Sequence, residues 1–320
     1  MTFPPRTRSW LRALCAAAAV AAMLAGCGGG TSQYEPYKPQ RVFAFGDEAS
    51  ALSTGAAAPR GSSWSVNGLD SSGNFDCALR PIWTQQLAAT YGFVFAECPG
   101  TATAFAARAY AAAGAKVRDL DAQIETARGD AGGFNEKDLA TYFVGTNDIV
   151  ELYVQYPARS EADLLAEARA RGTAAARQVN RIIELGAKVI VSNLPDLSYS
   201  PYAQAQNASS GDAGRAALIG RLAAAFNEAL GVSILIDGRF VGLVQLDQRT
   251  QVFGRAPSAY GYDNFTSAVC ATAPPLCTTK TLVTNGNADT WFWAGDRWLA
   301  PAGHAQLATL AVNRATRNPF

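Results

Sequence analysis

The chain has 320 residues, 49% of them hydrophobic and 17% charged, which is enough apolar material for a buried core and excludes a disordered chain. With 27 Lys and Arg against 26 Asp and Glu the net charge is +1, so no overall electrostatic footprint for nucleic acid or an anionic surface is present. A single histidine excludes imidazole-rich metal sites and leaves any Ser-His-Asp mechanism one base to draw on.

Arg6, Arg8 and Arg12 form a basic segment without an acid, and an Ala-rich apolar run follows from Leu11 to Ala25. That run is shorter than the roughly 20 residues of a transmembrane helix and has the dimensions of a secretory signal. Leu24-Ala25-Gly26-Cys27 resembles the bacterial lipobox, which implies cleavage before Cys27 and acylation of its thiol. Gly28 after the cysteine is similar to the outer-membrane sorting variant of such signals. The expected organisation is therefore a signal peptide over 1–26, a flexible tether over 27–40 and a domain over 41–320. A lipid anchor would hold that domain at the outer membrane of a bacterial envelope, on its periplasmic or surface face. Loss of 1–26 removes three arginines and no acid, shifting the net charge to about −2. The export signal also predicts an oxidising compartment for Cys77, Cys98, Cys270 and Cys277. Three pairings are open, and the two local ones, Cys77–Cys98 and Cys270–Cys277, are expected. With one histidine and no Cys-x-x-Cys, neither a metal site nor a cofactor is expected.

Beyond the tether, Arg41–Phe45 reads as a buried strand closed by Gly46. Helical periodicity runs from Arg80 to Tyr91 and stops at Gly92, and Phe93–Ala96 reads as a second strand. A helix from about Val117 to Ala127 precedes a strand over Leu139–Val144, ended by Gly145. The longest helix spans Glu161 to Leu185, followed by Gly186 and a strand over Lys188–Ser192. Another helix from about Ala213 to Leu230 leads into an apolar run, Ser233–Asp237, that reads as a further strand. Residues 253–288, rich in Gly, Pro and Asn, are expected to form a surface excursion held by Cys270–Cys277. Apolar strands alternating with helices predict a parallel sheet covered on both faces. In such sheets ligands bind beyond the carboxyl ends of the strands, which singles out the loops after Phe45, Val144 and Ser192.

Those loops carry motifs. Phe43-Ala-Phe-Gly-Asp-Glu48 resembles the first block of the SGNH, or GDSL, hydrolases, in which the residue after Gly-Asp is the nucleophilic serine. Tyr110-Ala-Ala-Ala-Gly-Ala115 is similar to the second block, which supplies a glycine N–H. Phe143-Val-Gly-Thr-Asn-Asp148 resembles the third, whose asparagine donates to the oxyanion. Asn193-Leu-Pro-Asp-Leu197 matches a segment common after the fourth strand of the family. Trp293 to His304 resembles the closing block. The resemblance spans residues 41–310 and implies a three-layer αβα sandwich, flavodoxin-like, with a central parallel sheet of about five strands. It also implies ester hydrolysis without a cofactor.

The catalytic positions depart from that pattern. Glu48 stands at the nucleophile position, Gly295 at the Asp position and Trp298 at the His position, whereas the oxyanion-hole positions Gly114 and Asn147 are kept. A one-residue shift places Asp296 at the Asp position and Leu299 at the His position, so neither register restores an imidazole. Ser50 lies two residues beyond Glu48 without an adjacent base. His304 matches an ancillary histidine at the start of the last helix and is read as a packing or capping residue. Asp47 and Asp148 are read as supports, Asp148 bonding its own loop, and Asp196 as the fixer of a turn. A glutamate at position 48 would sit in the oxyanion hole as a permanent anion, with Trp298 donating its indole N–H to it. Trp64, Trp83, Trp291 and Trp293 read as core or rim aromatics, although a cluster over 291–298 could face a sugar or acyl chain. These residues predict an impaired hydrolase that binds an acyl-ester or glycan ligand or a partner. The alternatives are an active acyl or O-acetyl esterase with a non-standard site, and a structural envelope lipoprotein. Oligomeric state leaves no mark on the sequence.

Overall fold

The computed structural model describes residues 36–56, 58–317 and 320. The expected signal peptide, Cys27 and the tether as far as residue 35 lie outside the described residues. Order begins before the expected domain boundary. Tyr37 packs edge-on against Phe320, and Gln40 N donates to Lys137 O at 2.7 Å.

Five strands form the central sheet: β1 (Arg41–Gly46), β2 (Ala107–Ala109), β3 (Asp138–Phe143), β4 (Lys188–Ser192) and β5 (Val241–Val244). They pair in parallel in the order β2-β1-β3-β4-β5. All six residues of β3 are buried, as expected of a central strand covered on both faces. At the amino end of the sheet Arg41 binds Asp138 through two 2.7 Å hydrogen bonds, which compensates the fully buried carboxylate. Eight helices are described: α1 (Trp83–Thr90), α2 (Leu120–Ala131), α3 (Thr146–Tyr153), α4 (Glu161–Glu184), α5 (Pro201–Ser210), α6 (Gly214–Ser233), α7 (Leu246–Arg255) and α8 (Pro301–Arg317). α1 packs on α8, which also meets β4 and β5, while α4 packs along α6. The strand order is the flavodoxin-like one, with its switch point between β1 and β3.

Two expected strands are corrected. Phe93–Ala96 forms only one bridge, Phe95 to Ala107, and the edge strand is the small-residue segment Ala107–Ala109 that pairs with Val42–Ala44. Cys98 is bonded to Cys77 just beyond, so the apolar run is tied to the edge of the sheet rather than laid into it. At the other edge, α6 continues to Ser233, and Leu235 and Ile236 are exposed. Val241–Val244 takes the place beside β4 instead. Both runs are short and apolar, so periodicity could not choose between them.

Residues 253–288 are also more ordered than expected. Asn264–Ala268 pairs in parallel with Trp291–Trp293. Val269, Cys277 and Ala288 join Val66, Ala294 and Ala300 in a second small core. Cys77–Cys98 and Cys270–Cys277 are both formed.

Candidate active site

The site is assembled at the carboxyl ends of β1, β2 and β3, beside the switch point. β1 ends at Gly46, with φ +143°, and a Cβ there would lie 1.9 Å from Phe143 O. Only glycine therefore allows the chain to turn off β1 while touching β3. Gln123 of α2 holds that turn, its Oε1 accepting from Gly46 N and its Nε2 donating to Gly46 O, each at 2.9 Å. The loop after β2 is drawn in by Ala112 N, which donates to Gly46 O at 3.1 Å.

Glu48 projects from this turn between the two oxyanion-hole positions. Its Oε1 accepts from Gly114 N at 2.8 Å and its Oε2 from Asn147 Nδ2 at 2.7 Å. Asn147 stands in the first turn of α3, and its Nδ2 also reaches Ala115 O at 3.1 Å. Glu48 and Asn147 are only 5% and 7% exposed, so this pair is shielded from bulk water. The donors that could stabilise a developing oxyanion are occupied by a carboxylate of the chain itself. An attack by Glu48 on an ester carbonyl would first have to break both bonds.

Asp47 is fully buried; its Oδ1 accepts from Ala49 N at 3.0 Å, and its Oδ2 has no partner. Burial, and then the neighbouring charge of Glu48, push its carboxyl well above the usual range. Asp148 does not bond its own loop. Its Oδ2 accepts from Val117 N at 3.0 Å and its Oδ1 from Arg171 Nη1 at 3.1 Å, which ties α3 to the loop after β2 and to α4. Burial raises the Asp148 carboxyl, with Val117 N and Arg171 acting in the opposite direction. Asp196 holds its turn by accepting from Ser198 N at 3.0 Å.

The closing block is arranged differently from the sequence expectation. No hydrogen bond joins Trp298 to Glu48 among the described residues. Arg297 intervenes: its Cζ lies 4.1 Å from the Trp298 ring centroid, and its Nη2 donates to Asn147 Oδ1 at 3.4 Å. The cation takes the π-face of the tryptophan and the Oδ1 of Asn147 together. Arg297 Nη1 also pairs with Asp296, whose side chain is about half exposed, while its Nε is buried without a partner. The sequence reading missed Arg297, although a cation beside an acid and a tryptophan, in a block facing Glu48, was the available signal.

Gly295 lies in a turn closed by Ala294 N donating to Trp298 O at 2.7 Å. His304 is buried, and its Nδ1 accepts from Trp83 N at 3.4 Å, linking α8 to α1. Burial lowers its pKa to about 3, so the imidazole is neutral. Ser50 is buried and accepts from Trp83 Nε1 at 3.2 Å, a bond directed into the core. Trp83 and Trp293 are core residues, whereas Trp64, Trp291 and Trp298 are half-buried.

Residues 42–265 match the family model of the GDSL-like lipase/acylhydrolases, and the chain belongs to that family. The match includes Glu48, Gly114 and Asn147 and ends before the closing block. Among solved structures, the chain is similar to a member of the lipolytic G-D-S-L family from Veillonella parvula, with TM-score 0.41 and 13% identity over 85% of this chain and 96% of that one. It is also similar to Axe2, an acetylxylan esterase from Geobacillus stearothermophilus, with TM-score 0.41 and 14% identity over 88% and 96% of the two chains. A lipase/acylhydrolase from Enterococcus faecalis gives TM-score 0.42 and 11% identity over 87% and 96%. No curated protein matches the chain.

Proposed function

We propose that this protein is an envelope lipoprotein of the GDSL family that has exchanged ester hydrolysis for binding of an acylated or glycan ligand or a partner. The observation that carries this reading is Glu48, seated in the oxyanion hole on Gly114 N and Asn147 Nδ2. A hydrolase gains rate because its hole binds the transition state better than the ground state. A hole already filled by an internal anion offers a substrate no such difference. The imidazole needed to activate a serine is missing too, since the one histidine is neutral and engaged with Trp83. Lipidation at Cys27 is the anchoring part of the same reading and rests on the lipobox-like Leu24-Ala25-Gly26-Cys27.

The test is hydrolysis of p-nitrophenyl acetate and butyrate by the purified protein, by Glu48→Ala and by a Glu48→Ser, Gly295→Asp, Trp298→His triple variant. The wild type should not exceed the buffer rate, and the triple variant should hydrolyse both esters. Turnover by the wild type that Glu48→Ala abolishes would overturn the reading. Should the triple variant fail to fold, acetate titrated into Glu48→Ala should bind in the vacated hole, and into wild type it should not. Mass spectrometry of the N-terminal peptide checks the anchor, which Cys27→Ser should remove.

A further inference from the structure

A cleft of about 360 Å³ lies at the β5 edge of the sheet, between α7 and α8, two strands away from β3 and the Glu48 site. Arg249 on α7 and Arg314 and Arg317 on α8 line it, together with the amide side chains of Gln245, Gln248 and Asn313. Among the described residues no Asp or Glu side chain lines it. Asp247, the nearest acid in sequence, has its Oδ1 engaged by Gln248 N at 2.7 Å. Most other arginines of the described residues have an acidic partner, as Arg41, Arg171, Arg181, Arg221 and Arg239 do. These three have none among the described residues, and all three are exposed.

Local helix physics accounts for only part of the cluster. Arg314 and Arg317 in the last turn of α8 complement the helix dipole there. Arg249 does the reverse, since it stands one turn into α7, near the end where a cation is disfavoured. Arg314 and Arg317 also repel each other at i, i+3. A bound anion would turn both unfavourable placements into favourable ones. Guanidinium forks match phosphoryl oxygens in bidentate geometry, and amide side chains suit hydroxyl groups. The cleft volume lies in the lower range of small-molecule sites.

We propose that this cleft binds a phosphoryl group carried on a small hydroxylated moiety, either a glycerophosphate headgroup or a sugar phosphate. The whole-chain charge of +1 conceals the site, because it averages over the paired arginines elsewhere. This inference is independent of the fate of the hydrolase site.

The experiment is calorimetric titration of the purified full-length protein with glycerol 3-phosphate, glucose 1-phosphate, inorganic phosphate, glycerol and glucose. At least one phosphate ester should bind, more weakly as salt is raised, and the neutral compounds should not. Tighter binding of glycerol 3-phosphate assigns a lipid headgroup, and tighter binding of glucose 1-phosphate a sugar phosphate. An Arg249→Gln, Arg314→Gln double variant should lose affinity by about tenfold or more, whereas Arg177→Gln, on α4, should not change it. Absence of ester binding at millimolar concentration would overturn the proposal. So would undiminished binding by the folded double variant, with Arg249→Gln alone as the substitute should the double variant not fold. Equal affinity for inorganic phosphate and both esters would also overturn it, since no hydroxylated moiety would then be recognised.

Discussion

The corner formed by β1, β2 and β3 and the closing turn at 294–298 carry the positions that the family pattern assigns to one site, and they match that pattern to very different extents. At the corner, the parts supplied by backbone and by the first turn of a helix persist, namely Gly46, Gly114 and Asn147. In the closing turn the side chains at the triad positions are exchanged, and Arg297 reaches back to Asn147 instead. The corner is bound into the sheet, where Gly46 meets Phe143 O and Gln123 holds both of its polar groups. The closing turn is a short loop between Trp293 and Leu299, which bridge each other, and Asp296, Arg297 and Trp298 in it are exposed or half-buried. The corner's donors are held by the sheet itself, whereas the closing turn positions its groups through side chains.

The widest contrast should come from alanine at the two glycines. Gly46→Ala should cost at least about 4 kcal/mol, combining a positive-φ penalty with a clash against backbone that cannot move away. Urea denaturation, or loss of soluble protein, reads it. Near wild-type stability for Gly46→Ala would break the distinction between corner and turn.

Glu48→Ala sharpens the account of the corner. It leaves Gly114 N without its partner and Asn147 Nδ2 with Ala115 O alone, and should cost about 2 kcal/mol, with Glu48→Gln costing less. Increased stability of Glu48→Ala would mean that repulsion with Asp47 outweighs both hydrogen bonds.

In the closing block, His304 should impose a pH dependence. Its folded-state pKa near 3 lies below the ordinary 6.5, so the unfolded chain takes up a proton first as pH falls. Stability from this group is complete above about pH 6.5 and declines below it, by about 2 kcal/mol at pH 5. Asp47 works in the opposite sense, because its raised carboxyl favours the folded state at low pH and that contribution is lost as pH rises. The His304 contribution is therefore read as the difference between wild type and His304→Gln in denaturant melts at pH 5 and 7. Parallel profiles for the two proteins would contradict it.

The smallest effect should be Gly295→Ala, at about 1 kcal/mol. Its Cβ would meet Trp298 Cδ1 at 2.9 Å and Pro274 Cδ at 3.4 Å, but the half-buried indole can shift. A loss comparable to that of Gly46→Ala would show the closing turn to be as rigid as the corner.

Much of this was legible in the chain of residues. β1, β3 and β4 were readable because each is a continuous apolar run closed by a glycine or a polar turn, and the long α4 because its periodicity persists between Ser160 and Gly186. The hole positions Gly114 and Asn147 were readable only through the resemblance of their motifs to the family's second and third blocks. What failed did so for physical reasons. Phe93–Ala96 and Ser233–Asp237 have strand-like composition, but β2 and β5 won the edge positions through pairing with β1 and β4. The bond drawn from Trp298 to Glu48 failed because a neighbouring long side chain could reach both partners' surroundings, which linear spacing does not reveal.

By itself, the sequence determined the alternation of strand and helix, the local disulfide pairs, and which residues stand at the positions the family resemblance points to: Gly114 and Asn147, and Glu48, Gly295 and Trp298. These are properties of short segments, set by apolar period, turn residues and residue identity. Tertiary structure alone decided that Arg297 bridges Trp298 and Asn147 and that three arginines without an acidic partner among the described residues converge beside β5. Each of these depends on side chains far apart in the chain meeting at distances of a few ångströms, and only the folded sheet sets those distances.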